Sequence, residues 1–95
     1  MEILENEKNM TIIRNKSEEN AVCYLFSYNC EIAIYNEISK RLAISQDFWD
    51  YSQTTLKHLK HFINQYTAYT YDTKSQFKAL IEDKQKSDFL PIVLF

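Results

Sequence analysis

Not one of the 95 residues is glycine, and no other property of the sequence narrows its folding options so far. Wherever the backbone must pass through positive φ, a residue carrying a Cβ has to do it, at about 1–2 kcal/mol per position. Asn and Asp tolerate that conformation best, because their short polar side chains bond to the local backbone. Turns are therefore expected in the asparagine-bearing polar stretches: across 15–20, at Ser27-Tyr28-Asn29 and across 36–40. The same deficit disfavours loops that cradle phosphate through bare, closely approached backbone.

These turns have to fold around one core. With 95 residues, 45% of them hydrophobic and 15% aromatic, the chain is sized for a single core and has enough apolar surface to offset the entropy of ordering it. The reading is a flexible N-terminus over 1–9 and a single α+β domain over 10–95. The apolar run Phe89–Phe95 falls far short of the roughly 20 residues that cross a bilayer. Met1–Lys8 mixes acids into its apolar positions, unlike a secretion signal. A cytoplasmic location is expected, where a reducing environment keeps Cys23 and Cys30 as thiols. Thirteen acids against eleven bases give a net charge of -2, spread along the chain with no field to draw in a polyanion.

Periodicity sets the elements. Met10–Arg14 has the β-branched content of a short strand, and Ala21–Phe26 is apolar on both faces, as a central strand under a helix would be. Glu31–Tyr35 returns from the Ser27-Tyr28-Asn29 turn as its hairpin partner, and Arg41–Ser45 completes a meander with Leu42 and Ile44 on one face. From Ser52 the period lengthens: Leu56, Leu59, Phe62 or Ile63, and Tyr66 form one helical stripe, with Ser52 as N-cap toward the amides near Thr54 or Thr55. Tyr66–Tyr71 is again β-branched and aromatic and reads as a further strand. A shorter helix starts near Asp72 or Thr73, where Thr73 and Gln76 have capping-box spacing, with Phe77, Leu80 and Ile81 as its apolar edge. Pro91 stops that helix, and the tail Ile92–Phe95 must pack on the domain or on a partner. The fold class is α+β: an antiparallel sheet of three to five strands against one main helix and a shorter C-terminal one.

Constellations for catalysis are sparse. His58 and His61 are three apart on the main helix and could share a metal, but Lys57 and Lys60 beside them repel a cation, and no metal or other cofactor is expected. Lys57, His58, Lys60 and His61 read instead as a basic helix edge. Glu18, Glu19, Glu31, Glu37, Asp47 and Asp50 are scattered over turns, as solubilising acids are. Neither cysteine has a neighbouring histidine in sequence. Phe48, Trp49 and Tyr51 precede the helix without a regular period, so each is either a core plug or a binding anchor, with packing favoured for Trp49. No catalytic residue stands out and no enzymatic activity is expected.

The stretch from Leu25 to Phe62 carries Ser27-Tyr28-Asn29, the apolar strand Ile32-Ala33-Ile34, and Tyr51-Ser52-Gln53-Thr54-Thr55-Leu56-Lys57-His58. In these motifs it resembles a family of small uncharacterised proteins of phages and other mobile elements, departing from it at Cys30 and in the apolar tail. The resemblance implies a mobile-element protein working in a bacterial host cell. By analogy with anti-CRISPR proteins, it implies a non-enzymatic inhibitor that binds a host defence protein such as a CRISPR-associated effector. The contact residues expected on that reading are Tyr28, Asn29, Glu31, Glu37, Trp49, Tyr51, Lys57 and His61. Two alternatives stand beside it: a nucleic-acid-binding accessory protein using Lys57, Lys60, His61 and the tyrosines, and a homodimer closed through Phe89–Phe95.

Overall fold

A computed structural model describes residues 1–85 and 92–94, with side chains described as far as residue 79. Five strands succeed one another along the chain: β1 (Glu2–Glu7), β2 (Met10–Lys16), β3 (Ala21–Ser27), β4 (Cys30–Asn36) and β5 (Arg41–Ile44). Each pairs antiparallel with the next, so the sheet order is the chain order. Two helices follow, α1 (Gln53–Tyr66) and α2 (Lys74–Gln85), and β6 (Ile92–Leu94) closes the sheet by pairing parallel to β5. The α+β fold expected from the sequence is the one observed.

The turns show how a chain without glycine makes hairpins. Positive φ falls on Asn9 (65°), Tyr28 (52°), Asn29 (64°) and Lys40 (62°). Tyr28 and Asn29 are the two central residues between the paired Ser27 and Cys30, a two-residue loop in which both must be left-handed for the turn to match the twist of the strands. Asn36 stabilises the next turn, its Oδ1 accepting from the amides of Ile38 (2.9 Å) and Ser39 (3.0 Å).

Side chains alternate along the central strand. Ala21, Cys23, Leu25 and Ser27 are buried on one face, while Val22, Tyr24 and Phe26 stay half-buried on the other. Met10 and Ile12 on β2, Ala33 and Tyr35 on β4, and Leu42 and Ile44 on β5 share the buried face. There they meet Leu59, Phe62 and Ile63 of α1 and Phe77 of α2 in one core. A β-bulge displaces the register between Leu25 and Phe26, and it turns both Ile32 and Ala33 into the core.

Helix α1 starts as its sequence indicates: Ser52 is the N-cap, and its Oγ accepts from the Thr55 amide at 3.1 Å. Its end again reflects the missing glycine. No left-handed cap is formed; extended Thr67 (φ -121°) donates from both its amide (3.2 Å) and its hydroxyl (2.7 Å) to the Ile63 carbonyl. For α2, the Gln76 amide donates to Thr73 Oγ1 at 3.2 Å. The reciprocal bond of this capping box reaches one residue further back, from the Asp72 amide to Gln76 Oε1 at 2.8 Å.

Two local expectations are corrected. The flexible N-terminus expected over 1–9 contains strand β1. An edge strand needs little apolar surface, and here its acids have specific partners: Glu2 lies 3.6 Å from Arg14 Nη1, and Glu5 bonds to His61 and Tyr66. The bulge between Ile3 and Glu5 breaks the alternation that would have announced it. Conversely, the strand expected over Tyr66–Tyr71 is the end of α1 followed by a loop. Side chains take the backbone bonds a sheet would have used: Asn64 holds both the amide (3.0 Å) and the carbonyl (3.1 Å) of Tyr71, and Tyr35 Oη accepts from the Ala68 amide at 3.2 Å. Of the apolar tail, Ile92–Leu94 pairs along β5; Phe89–Pro91 and Phe95 lie outside the described residues.

Candidate functional site

The β3–β4 hairpin ends beside the start of α1, and a pocket of about 190 Å³ opens between them. It is lined by Ser27, Tyr28, Cys30, Ile32, Phe48, Tyr51 and Thr55. Three of these are large aromatics left in solvent, Tyr28 and Phe48 at 41% and Tyr51 at 70% exposure. Each is held out by local structure. Tyr28 occupies the left-handed turn, its amide bonded to the Asn9 carbonyl at 2.9 Å. Phe48 and Tyr51 flank a tight turn closed by the bond from the Tyr51 amide to the Phe48 carbonyl (3.1 Å), which sets their rings 6.4 Å apart. Cys30 pairs with Ser27 across the hairpin and is an exposed free thiol.

Beneath the aromatic rim runs a chain of hydroxyls. Ser52 Oγ donates to Thr55 Oγ1 (3.1 Å), Thr55 Oγ1 lies 3.3 Å from Ser27 Oγ, and Ser27 Oγ lies 2.8 Å from Nδ1 of His58. Thr55 accepts from Ser52, and Ser27 links Thr55 to a neutral imidazole at Nδ1, donating to whichever of the two the histidine tautomer leaves as acceptor. The environment agrees, since burial holds the His58 pKa below its ordinary value. Protonation would make Nδ1 a donor in every case and leave Ser27 Oγ to accept from it. Ser27 and Thr55 are buried, so these bonds satisfy hydroxyls that would otherwise be costly in the core.

The residues singled out from sequence are divided by the fold. Tyr28 and Tyr51 line the pocket, Asn29 is the exposed second residue of its hairpin turn, and Lys57 is exposed on α1 between Thr55 and His58. Glu31 is half-buried, paired with Phe26 on the side of the sheet facing away from the helices. Glu37 lies at the opposite end of β3, accepting from Arg14 Nη2 at 2.8 Å and from the Cys23 thiol at 3.3 Å. Trp49 is a core plug, edge-on to Phe77 at 5.2 Å with Lys74 Nζ 5.7 Å from its ring centre. His61 bonds Glu5 at 2.7 Å.

The basic helix edge is thereby reduced, because His58 and His61 each have a partner on the sheet and only the two lysines keep their charge uncommitted to a described ion pair. Tyr66 joins the Glu5 pair, donating to the same carboxylate oxygen at 2.5 Å. That bond draws the Glu5 pKa down, while burial and the neighbouring carboxylate push Tyr66 up to about 12. Among the described residues no three His, Cys, Asp or Glu side chains converge as a metal would require. No helix of these residues is long and apolar enough to cross a membrane.

Sequence reasoning left Ser27, Cys30, Ile32, Phe48 and Thr55 out of the candidate site. Their signals were present: aromatics at a three-residue step just before an N-cap, and a Ser/Cys pair bracketing a two-residue turn. A five-stranded antiparallel meander covered on one face by two helices, with an aromatic-rimmed pocket at the hairpin–helix junction, defines the class of this α+β fold. The chain belongs to the family of unknown function DUF8033, whose model matches residues 1–79 and so takes in the whole pocket. No curated protein and no solved structure matches the chain.

Proposed function

We propose that the protein acts by binding: it takes one large apolar side chain of a protein partner into the pocket between Tyr28, Phe48 and Tyr51. The observation that carries this reading is three exposed aromatics around an apolar hollow of about 190 Å³. That volume is below the roughly 300 Å³ at which small-molecule sites begin. It exceeds the roughly 150 Å³ that admits a benzene ring. An aromatic or long aliphatic anchor is the matching size, and anchors seated in such pockets dominate protein interfaces. Holding Tyr28 left-handed costs on the order of 1–3 kcal/mol, and strain of this kind collects at binding sites. Asp47, exposed and adjoining Phe48 in sequence, favours a partner with a basic residue near its anchor.

The resemblance to phage and mobile-element proteins supports a particular partner, a host defence effector such as a CRISPR-associated nuclease, inhibited by occupancy and not by chemistry. Nucleic acid is the weaker reading, because His58 and His61 are engaged within the chain. The test is to mix the purified protein with the defence effectors of its host and measure binding and nuclease activity. Binding with loss of activity is expected. Phe48→Ala and Tyr51→Ala should each weaken binding by about thirtyfold, the equivalent of a 2 kcal/mol anchor, with circular dichroism unchanged. Absence of binding to every effector, or binding indifferent to both substitutions, refutes the reading.

A further inference from the structure

The helices cover one face of the sheet; among the described residues no helix covers the other. Strand pairing lays an unbroken apolar row across that second face: Ile3 opposite Ile13, Ile13 opposite Tyr24, Tyr24 opposite Ile34, and Ile34 opposite Ala43. Ile3 is 63% exposed, and the other four keep part of their surface although they sit mid-sheet. Val22 lies beside the row on one side and Phe26 on the other. The remaining flanking positions are Asn or Thr, apart from two charges. Arg41 stands on β5 on the Val22 side, and Glu31 on β4 on the Phe26 side.

We propose that this face closes on a second copy of the chain as a two-fold, sheet-on-sheet dimer. A two-fold axis running across the strands along the apolar row lays the row on itself and brings Val22 over Phe26. It also brings the Glu31 side of each copy over the Arg41 side of the other. The two charges stand on adjacent strands, roughly 4.8 Å apart in projection, so two equivalent Glu31–Arg41 pairs form at the margin. Isologous contact requires this kind of self-complementarity. The area is modest: strands of four to seven residues at ~4.8 Å spacing and ~3.3 Å rise give a footprint of about 490 Å² per copy. The total of about 1,000 Å² is that of a weak, transient interface, so a reversible dimer is expected. The pocket lies on the helix side and stays open in both copies, which makes the dimer bivalent.

Sedimentation equilibrium of the full chain, from micromolar to millimolar, tests this. A concentration-dependent dimer is expected. Ile34→Lys should raise the dissociation constant at least a hundredfold, and Glu31→Arg by about tenfold, because it sets like charges opposite each other at the solvent-accessible margin. The double variant Glu31→Arg/Arg41→Glu should return to within about threefold of the wild type, since it only exchanges the signs. That rescue decides the matter even if Ile34→Lys fails to fold. A monomer at every concentration, or a dimer that none of these substitutions moves, overturns the proposal. Neither outcome bears on the pocket, whose test reads partner binding.

Discussion

The two ends of β3 treat buried polar groups in opposite ways. At the start of the strand, Cys23 is wholly buried and donates to Glu37, which also holds Arg14 at 2.8 Å. The cluster is charged, and burial together with the nearby carboxylate pushes the Cys23 thiol pKa up, away from reactivity. At the end of the strand, Ser27 is equally buried but belongs to an uncharged relay through Thr55 and His58, and above it the surface opens into a pocket with aromatics at its rim. Three residues of one strand separate a closed structural cluster from the open pocket proposed to bind a partner. A formal charge at the base of a pocket this small would have to be desolvated whenever a partner's side chain entered. Hydroxyls bonded to one another leave the floor neutral.

Breaking the closed end should have the largest effect on stability and none on recognition. Glu37→Ala takes from Arg14 its 2.8 Å partner, leaving Glu2 at 3.6 Å as its described ion pair, and takes from the Cys23 thiol its acceptor. Because both side chains of the pair keep more than a quarter of their exposure, 30% and 28%, water can partly replace the lost bond. The cost should be about 1–2 kcal/mol, below that of a fully buried pair. Urea denaturation measures it, and partner binding by the folded fraction should be unchanged. Weakened binding would mean that the two ends are coupled.

This division explains how much of the molecule was legible in the sequence. The meander, both helices and the cap at Ser52 follow from side-chain period and from Asn-rich turns, which are local properties. Strand β1 was hidden because its reasons to pair are distant: Arg14 for Glu2, and His61 and Tyr66 for Glu5. The Tyr66–Tyr71 loop has the composition of a strand but is held by Asn64 and Tyr35, partners no local pattern announces. Tyr28 and Tyr51 stood out as candidates because they are aromatics in turn segments. Glu37, His61 and Trp49 were candidates as a turn acid, a helix-edge base and an aromatic already favoured to pack, and their partners Arg14, Glu5 and Phe77 are too distant in sequence for any local pattern to announce.

A smaller, pH-dependent effect should separate the ends further. The folded-state pKa of His58 is depressed by burial below its ordinary 6.5. As pH falls below that value the unfolded chain takes up a proton before the folded one does. The stability contributed by neutral His58 is thus complete above about 6.5 and is lost as pH drops toward the folded-state pKa. Glu5, held down by Tyr66, adds its own loss only below its ordinary 4.5. Tyr66 acts at the alkaline side: its contribution is intact below pH 10 and disappears between 10 and about 12. Urea midpoints measured across pH should therefore decline just under 6.5, and His58→Gln should erase that step while leaving the one below 4.5. An NMR titration placing His58 at or above 6.5 would contradict the neutral relay.

The smallest expected change in stability concerns the turn itself, and its sign is the informative part. Tyr28 sits at φ 52° with 41% of its surface exposed, so the fold gains little from the ring and bears the strain of a bulky residue in a left-handed conformation. Asparagine tolerates that geometry better, and Tyr28→Asn should stabilise the protein by roughly 0.5–1 kcal/mol. If the ring is a wall of the binding pocket, the same substitution should weaken partner binding. Stability and recognition would then move in opposite directions at one residue, as they do where activity is retained at the expense of the fold. A variant that is both more stable and equally good at binding would remove Tyr28 from the site, leaving Phe48 and Tyr51 to hold the pocket.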